Sequence, residues 1–407
     1  MSVVVTRALG LEDAGTFFVC YALLLLFATI ARAGTETLAL KEIASGKSTT
    51  RSFLKLLACV CATTSILLSA LIAIIVSRLP NEEVWSGADA TTAWLITASI
   101  FPFALSGLAA AALRGHGWVA WGTTAELGSA PAIVAIGTVL LDSTGTVSLN
   151  DVALLLLVAN TVTMLWAFPV AVALSSAEEE PRFSSLVGFV RVHIPQLVPM
   201  MSVSLLFLLV TWMPVLTLGL TSSTDQVALV AVALRLAAFI TLIPAVQSSY
   251  LAPRFAALHR RADIACLNRL ASGSARQAVY LGVLPALALF LWPEQFLSLF
   301  GAGFDCAAAS LRLLALGGIL VVALGQVNPL MLLCGLEAFA MRLSIALASS
   351  SIVVMLLVGG GLGATGVAAA SAILMVGYGI VANWGLMKRE SIRAWATSGP
   401  APSRLPE

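Results

Sequence analysis

Residues 218–276 read LGLTSSTDQVALVAVALRLAAFITLIPAVQSSYLAPRFAALHRRADIACLNRLASGSAR, and this stretch decides the fold. A short polar turn leads into an apolar run from Gln226 to about Leu251 that contains one charge, Arg235. The run ends at Pro253 in what reads as a loop carrying Arg254, Arg260, Arg261, Arg269 and Arg276. Some twenty apolar residues in a helix span roughly 30 Å, the thickness of a bilayer's hydrocarbon core. Arginines gathered at one end of such a helix mark a cytoplasmic end, because short cytoplasmic loops collect Lys and Arg. A charge inside the span costs about 2.5–3.5 kcal/mol on insertion scales, so Arg235 needs a partner or a purpose.

The pattern occurs twice. Leu9-Gly10-Leu11 is followed by Glu12-Asp13, an apolar run from Gly15 to Ile30, and a basic loop with Lys41, Lys47, Arg51 and Lys55. Both copies end in a similar register, SFLKLLA at 52–58 and CLNRLA at 266–271, about 210 residues apart. This is the trace of an internal duplication, an arrangement typical of secondary transporters.

Composition agrees. Hydrophobic residues make up 59% of the 407 and charged residues 10%, far below the quarter or so that covers a soluble surface. Spans are expected at 15–33, 54–77, 93–113, 121–141, 151–175, 196–219, 226–251, 277–299, 310–332, 341–359 and 364–387. The basic loops then alternate: 34–53, 114–120, 176–195, 252–276 and the tail carry Lys and Arg and the 333–340 turn borders Arg342, whereas 80–92, 142–150, 220–225, 300–309 and 360–363 carry essentially none, with Arg78 and Arg312 at their edges. Charge places the first set in the cytoplasm. The expectation is an all-α polytopic membrane protein of about eleven helices in two pseudo-symmetric lobes. Those lobes are 1–175 and 190–387, joined by a cytoplasmic linker at 176–189 that holds Glu178-Glu179-Glu180, with a cytoplasmic tail at 388–407. Five spans against six leave the first helix of a twelve-helix pattern missing, with MSVVVT as its last turns.

Several short segments resemble the oligosaccharide flippases of bacterial polysaccharide biosynthesis. VTRALGLEDAGTFF is similar to that family's R-L-G-P-E-x-Y-G turn, with Leu11 and Ala14 replacing the proline and the aromatic. LAPRFAALHRRADIACLNRL resembles its Pro-and-Asp loop through Pro253 and Asp263. FLSLFGAGFDCAAASLRLLALGGI resembles a further segment through Phe300, Gly301, Phe304 and Leu311, and GLGATGVAAASAI the start of its final helix. The resemblance implies the multidrug/oligosaccharidyl-lipid/polysaccharide exporter fold. It also implies an undecaprenyl-diphosphate-linked oligosaccharide moved across the inner membrane of a bacterium by alternating access. Membrane lipids, and the polysaccharide polymerase and chain-length proteins, are the partners it would bring; no nucleic acid is expected.

A flippase needs a cavity for a polar headgroup rather than a nucleophile, and a diphosphate calls for cationic side chains. Arg235 and Arg32 are the candidates, against the alternative that each snorkels to an interface or pairs with a neighbouring helix. Asn160, Gln247, Gln326 and Asn328 could bind sugar hydroxyls or simply join helices by hydrogen bonds. Glu126, inside the span 121–141, could couple transport to a Na⁺ or H⁺ gradient or could be a structural partner for an arginine. Pro131, Pro214, Pro244 and Pro329 lie inside spans as expected kinks. The runs Ala109–Ala112 and Ala368–Ala372 read as close packing. The six cysteines form no disulfide framework, the three histidines no ligand cluster, and there is no phosphate-cradling loop, so neither a metal nor a nucleotide cofactor is implied. Two other functions remain open: an ion-coupled multidrug extruder of the same fold, and a membrane enzyme of the polysaccharide pathway.

Overall fold

The computed structural model describes residues 1–44, 51–78, 88–143, 145–176, 186–261, 263–334 and 336–396. The acidic run 178–180, most of the linker 176–189 and the last eleven residues lie outside the described residues. Every element is helical: α1 Ser2–Arg32, α2 Thr35–Ala44, α3 Arg51–Arg78, α4 Ala90–Gly115, α5 Val119–Thr123, α6 Ser129–Asp142 and α7 Leu149–Leu174. There follow α8 Leu186–Thr221, α9 Thr224–Arg260, α10 Ile264–Leu291, α11 Pro293–Leu297, α12 Ala308–Ala323, α13 Val327–Leu333 and α14 Glu337–Glu390.

Among the described residues ten helical segments are long and apolar enough to cross a membrane, and the last holds two crossings. At 54 residues α14 would be about 80 Å long, far more than a bilayer needs. It is broken at Gly363, whose φ of 55° and ψ of −148° suit glycine alone. Phe339, near its start, lies against Gly385, near its end, where a Cβ would sit 2.3 Å from the ring. The two arms are therefore antiparallel, and the eleven expected spans are accounted for. In the same way Gly10 (φ 79°) separates the short helix Ser2–Leu9 from the span that follows it.

Two compact units emerge, 1–212 and 213–407. In the first, α4 is the central helix: Ala109–Ala112 are all buried, and α1, α2, α3 and α7 pack around it. The first three-quarters of α8 belong to this unit as well. Gly34 (φ 78°) admits the α8 backbone so closely that a Cβ would meet Leu197 O at 2.4 Å, and Phe53 packs edge-on against Phe189. In the second unit α12 packs against α9, α10 and the second arm of α14, with Gly317 receiving Ala372.

Loops that alternate in charge also segregate in space. In the first unit the Arg51 side chain donates to Ser175 O and the Arg51 backbone N–H to Ser176 O, while Gly115 packs on Ile43. These residues lie in basic loops or, for Ser175, at the edge of one. At the opposite end Asn150 donates to Asp89 (3.0 Å), which caps α4 through the Thr92 N–H. In the second unit the 222–226 turn touches 359–364 at one end, and Asn268 touches Ser391 and Arg393 at the other.

One expectation needs correcting. The basic stretch after Leu251 is no loop: α9 runs through Pro253 to Arg260, and Arg269 and Arg276 lie in α10. Arginine is a good helix former, so the spans simply continue past their apolar windows, to Arg260 on one side and from Ile264 on the other. Similarly α8 begins ten residues before the apolar run at 196, and α14 reaches Glu390.

Candidate functional site

The span expected at 310–332 is interrupted. Its helix α12 ends at Ala323, Gly325 takes a left-handed φ of 79°, and α13 restarts at Val327. Pro329 does not kink a continuous helix; it occupies the first turn of α13, where its missing N–H leaves no bond unmade. Each residue of the break is held by a different neighbour. Asn383, fully buried, donates to Leu324 O at 2.8 Å. Gly325 lies against the Ala394 carbonyl, and Gln326 donates to Gln247 Oε1 at 3.4 Å.

This break gathers three of the predicted residues into one cluster at the basic end of the second unit. Gln247 comes from α9, and Gln326 and Asn328 flank the start of α13. Tyr378, from the second arm of α14, donates to Asn328 Oδ1 at 2.5 Å. Gln326 is buried, 6% exposed, and its Oε1 has no hydrogen-bond partner among the described residues. Burying an amide oxygen unpaired costs on the order of 1–3 kcal/mol, which a donor such as water would offset. The cluster is uncharged. Amides and a phenol offer donors and acceptors in several directions, which suits hydroxyl groups. Interrupted spans whose loosened backbone lines a site recur in transporters.

The first unit holds a charged network. Glu126 sits in a π-helical turn, Thr124–Gly128, that precedes Pro131; widening the helix there accommodates a proline that cannot donate and whose ring crowds the preceding turn. Its carboxylate pairs with Arg114 at 2.5 Å, a contact allowed by Gly122, where a Cβ would strike the Arg114 side chain. Arg32 pairs with Glu36 at 2.5 Å, lies over the Phe103 ring (5.1 Å) and fills a niche left by Gly107. Both carboxylates inside this region are thus neutralised by arginines. Asn160 is buried in the same unit, with its Nδ2 unbonded, one turn from Thr163, whose hydroxyl meets Ser129 (2.9 Å).

Arg235 lies elsewhere. It is half-buried in α9, twelve residues before Gln247, or about 18 Å along the helix, so it does not join the amide cluster. Sequence reading missed Tyr378 and Asn383, although the Gly325-Gln326-Val327-Asn328-Pro329 run carries the glycine and proline that mark a helix break. An open groove of about 420 Å³ between α12 and α14, lined by residues such as Leu316, Leu320 and Ile373, is almost entirely apolar and reads as lipid contact.

Comparison with protein-family models and with curated protein sequences finds no match. Solved structures do match. A multidrug resistance MATE family transporter of the MOP superfamily, in its inward-facing conformation, aligns with TM-score 0.71 and 16% identity over 98% of this chain and 94% of that one. The lipid II flippase MurJ, inward closed, aligns with TM-score 0.74 and 12% identity over 95% and 84%. A MOP superfamily transporter from Pyrococcus furiosus, described by the reverse polarity of its binding pocket, gives 0.62 and 16% over 96% and 91%. At such identities the shared property is the fold: this chain has the polytopic helical fold common to MATE transporters and MurJ.

Proposed function

We propose that the chain is a transporter of lipid-linked oligosaccharides, carrying a diphosphate-linked repeat unit across the bacterial inner membrane by alternating access, with its C-terminus in the cytoplasm. The observation that carries this reading is the uncharged cluster of Gln247, Gln326, Asn328 and Tyr378 around the break in the 310–332 span. Its spare acceptor and its mixed donors suit sugar hydroxyls. Arg235 and Arg32 are the cationic groups for the diphosphate, although Arg32 would have to leave Glu36 to serve. The fold shared with MurJ, a lipid II flippase, supports the handling of a lipid-linked cargo.

The extruder of the same fold is the second reading, and the MATE likeness favours it. A cationic drug is best held by a carboxylate free inside a span. Among the described residues Glu126 is the carboxylate set furthest inside an expected span, and Arg114 already occupies it. That pairing favours the oligosaccharide. It also leaves Glu126 a coupling group only if a proton or Na⁺ displaces Arg114, and normal transport by Glu126→Gln across pH and Na⁺ would remove that role.

The test is mass spectrometry of lipid-linked oligosaccharides in a strain lacking the protein, with the leaflet of each species probed. Intact units should accumulate on the inner leaflet, be cleared by the wild-type chain, and be cleared poorly by Gln326→Leu. No accumulation, with altered drug sensitivity instead, would leave the extruder standing. Partners of the pathway, a polymerase and chain-length proteins, follow from this reading and would be sought by co-purification.

A further inference from the structure

The helix α14 ends at Glu390, and Ser391 turns the chain with a left-handed φ of 57°. The next five residues do not leave the protein. Ile392 and Ala394 are fully buried in an apolar cluster with Phe255, Leu267, Leu330 and Met331. The backbone of this segment is bonded at nearly every step. Ser391 O accepts from Asn268 Nδ2 (3.1 Å), the Arg393 N–H donates to Asn268 Oδ1 (2.7 Å), and the Ala394 N–H donates to Asn383 Oδ1 (3.2 Å). The Ala396 N–H donates to Ala323 O at 2.9 Å, taking a carbonyl that the end of α12 would otherwise leave without a helical partner.

The segment therefore crosses the break in the 310–332 span. Its Ala394 carbonyl lies where a Cβ on Gly325 would be, at 2.0 Å, so only glycine fits between strap and helix. Gln326 is the next residue. Asn383 completes the arrangement by donating to Leu324 O while accepting from Ala394, which ties the residue before the break to the strap.

We propose that Ser391–Ala396 is a positioning strap for the amide cluster: it fixes the backbone on both sides of Gly325 and so sets the direction in which Gln326 presents its amide to Gln247 and to cargo. The inference deepens the oligosaccharide reading and rests on it for the cargo. A site of hydrogen-bonding groups recognises its ligand only if those groups are held in place by their surroundings, and here the holding group is the segment after the last helix. Without it, Ala323 O loses its donor and the break is free to take other conformations.

The test reads the Gln326 direction without any cargo. Gln247→Cys and Gln326→Cys are placed in a chain whose native cysteines are replaced, and a short bis-methanethiosulfonate cross-linker is applied in detergent. The cross-link should form readily with the strap intact and fall at least fivefold in Asn268→Ala, which removes two strap bonds without touching α12 or α13. A chain ending at Glu390 should fall as far, and Asn268→Ala decides if that chain does not fold. In the transport assay Asn268→Ala should raise the apparent KM at least fivefold and leave the maximal rate within twofold. An unchanged cross-link yield in both variants would overturn the strap, as would a lowered yield with an unchanged KM. Should the wild-type chain move no oligosaccharide, the flippase reading fails, and the cross-link alone decides the strap.

Discussion

Gln226 holds Ala364: its Oε1 accepts the Ala364 N–H at 2.8 Å, across 138 residues of sequence. The same oxygen lies 2.8 Å from where a Cβ on Gly363 would stand, and Ser222 donates to Gly359 O beside it. The apex of the α14 hairpin is thus capped by the turn between α8 and α9. An N-terminal cap contributes about 1 kcal/mol, so Gln226→Leu should lower the melting temperature measurably while Gln226→Glu, which keeps an acceptor, should not. Gly363→Ala should cost about 1–3 kcal/mol through backbone strain. Tryptophan fluorescence melts in detergent check both, and an unaltered melt for Gly363→Ala would mean that the apex is not held in its left-handed conformation.

The Arg114–Glu126 pair gives a second prediction. Both side chains are a little over a quarter exposed, so the pair stands between a surface bridge and a buried one, and a coupling of about 1–3 kcal/mol is expected. Arg114→Gln should destabilise by leaving a carboxylate uncompensated inside the span. The double variant Arg114→Gln/Glu126→Gln should recover most of that loss. A double-mutant cycle of thermal stability measures the coupling, and simple additivity of the two single changes would show that the residues act independently.

What the sequence disclosed and what it hid have separate physical causes. Every Lys or Arg inside a bilayer carries a penalty of a few kcal/mol, so the alternation of basic loops is written into the chain, and the ends of both units respect it. Arg312, a basic residue at the edge of a loop that should have none, pairs with Glu294 at 3.0 Å. The break at Gly325 was hidden because its conformation comes from what packs on it. The chain has 31 glycines, and seven of the described ones take a positive φ, so glycine alone could not point to the break. Gln247, Gln326 and Asn328 were legible as polar groups in spans, but their convergence depends on where α9 and α13 meet. Tyr378 sits in an apolar helix with nothing in its flanks to single it out.

Asp89 predicts a pH dependence. It lies just before the α4 span, where burial works against its ionisation, but hydrogen bonds from Asn150 and Thr92 outweigh that and hold its pKa below the ordinary 3.8. A carboxylate depressed by folding adds stability that is fully present above its unfolded pKa, near 3.9, and is lost as pH falls through the folded value. The wild-type melting temperature should therefore drop more steeply than that of Asp89→Asn below about pH 4. Above about pH 5 the variant should be less stable by a constant amount. Parallel curves across the whole range would mean that the Asn150–Asp89 contact is not made.

The orientation of the chain rests on charge and can be read from its own thiols. Cys306 is exposed at the end of the second unit that lacks basic loops, while Cys266 lies at the start of α10, at the end that holds Asn268, Ser391 and Arg393. Cys20, Cys61 and Cys334 are buried and should label at neither end. Burial, with the Glu390 charge adding to it, pushes the Cys334 thiol up to about 11, so at neutral pH almost none of it is the reactive thiolate. A membrane-impermeant maleimide applied to intact cells should modify Cys306 and spare Cys266, and permeabilised cells should add Cys266. Single-cysteine chains separate the signals, including that of Cys59, which is exposed on the apolar α3 and is screened by lipid if that face meets the bilayer. Labelling of Cys266 alone in intact cells would turn the whole topology over and place the C-terminus outside. The amide cluster lies at the Cys266 end, so the same experiment states which side of the membrane Gln326 is nearer.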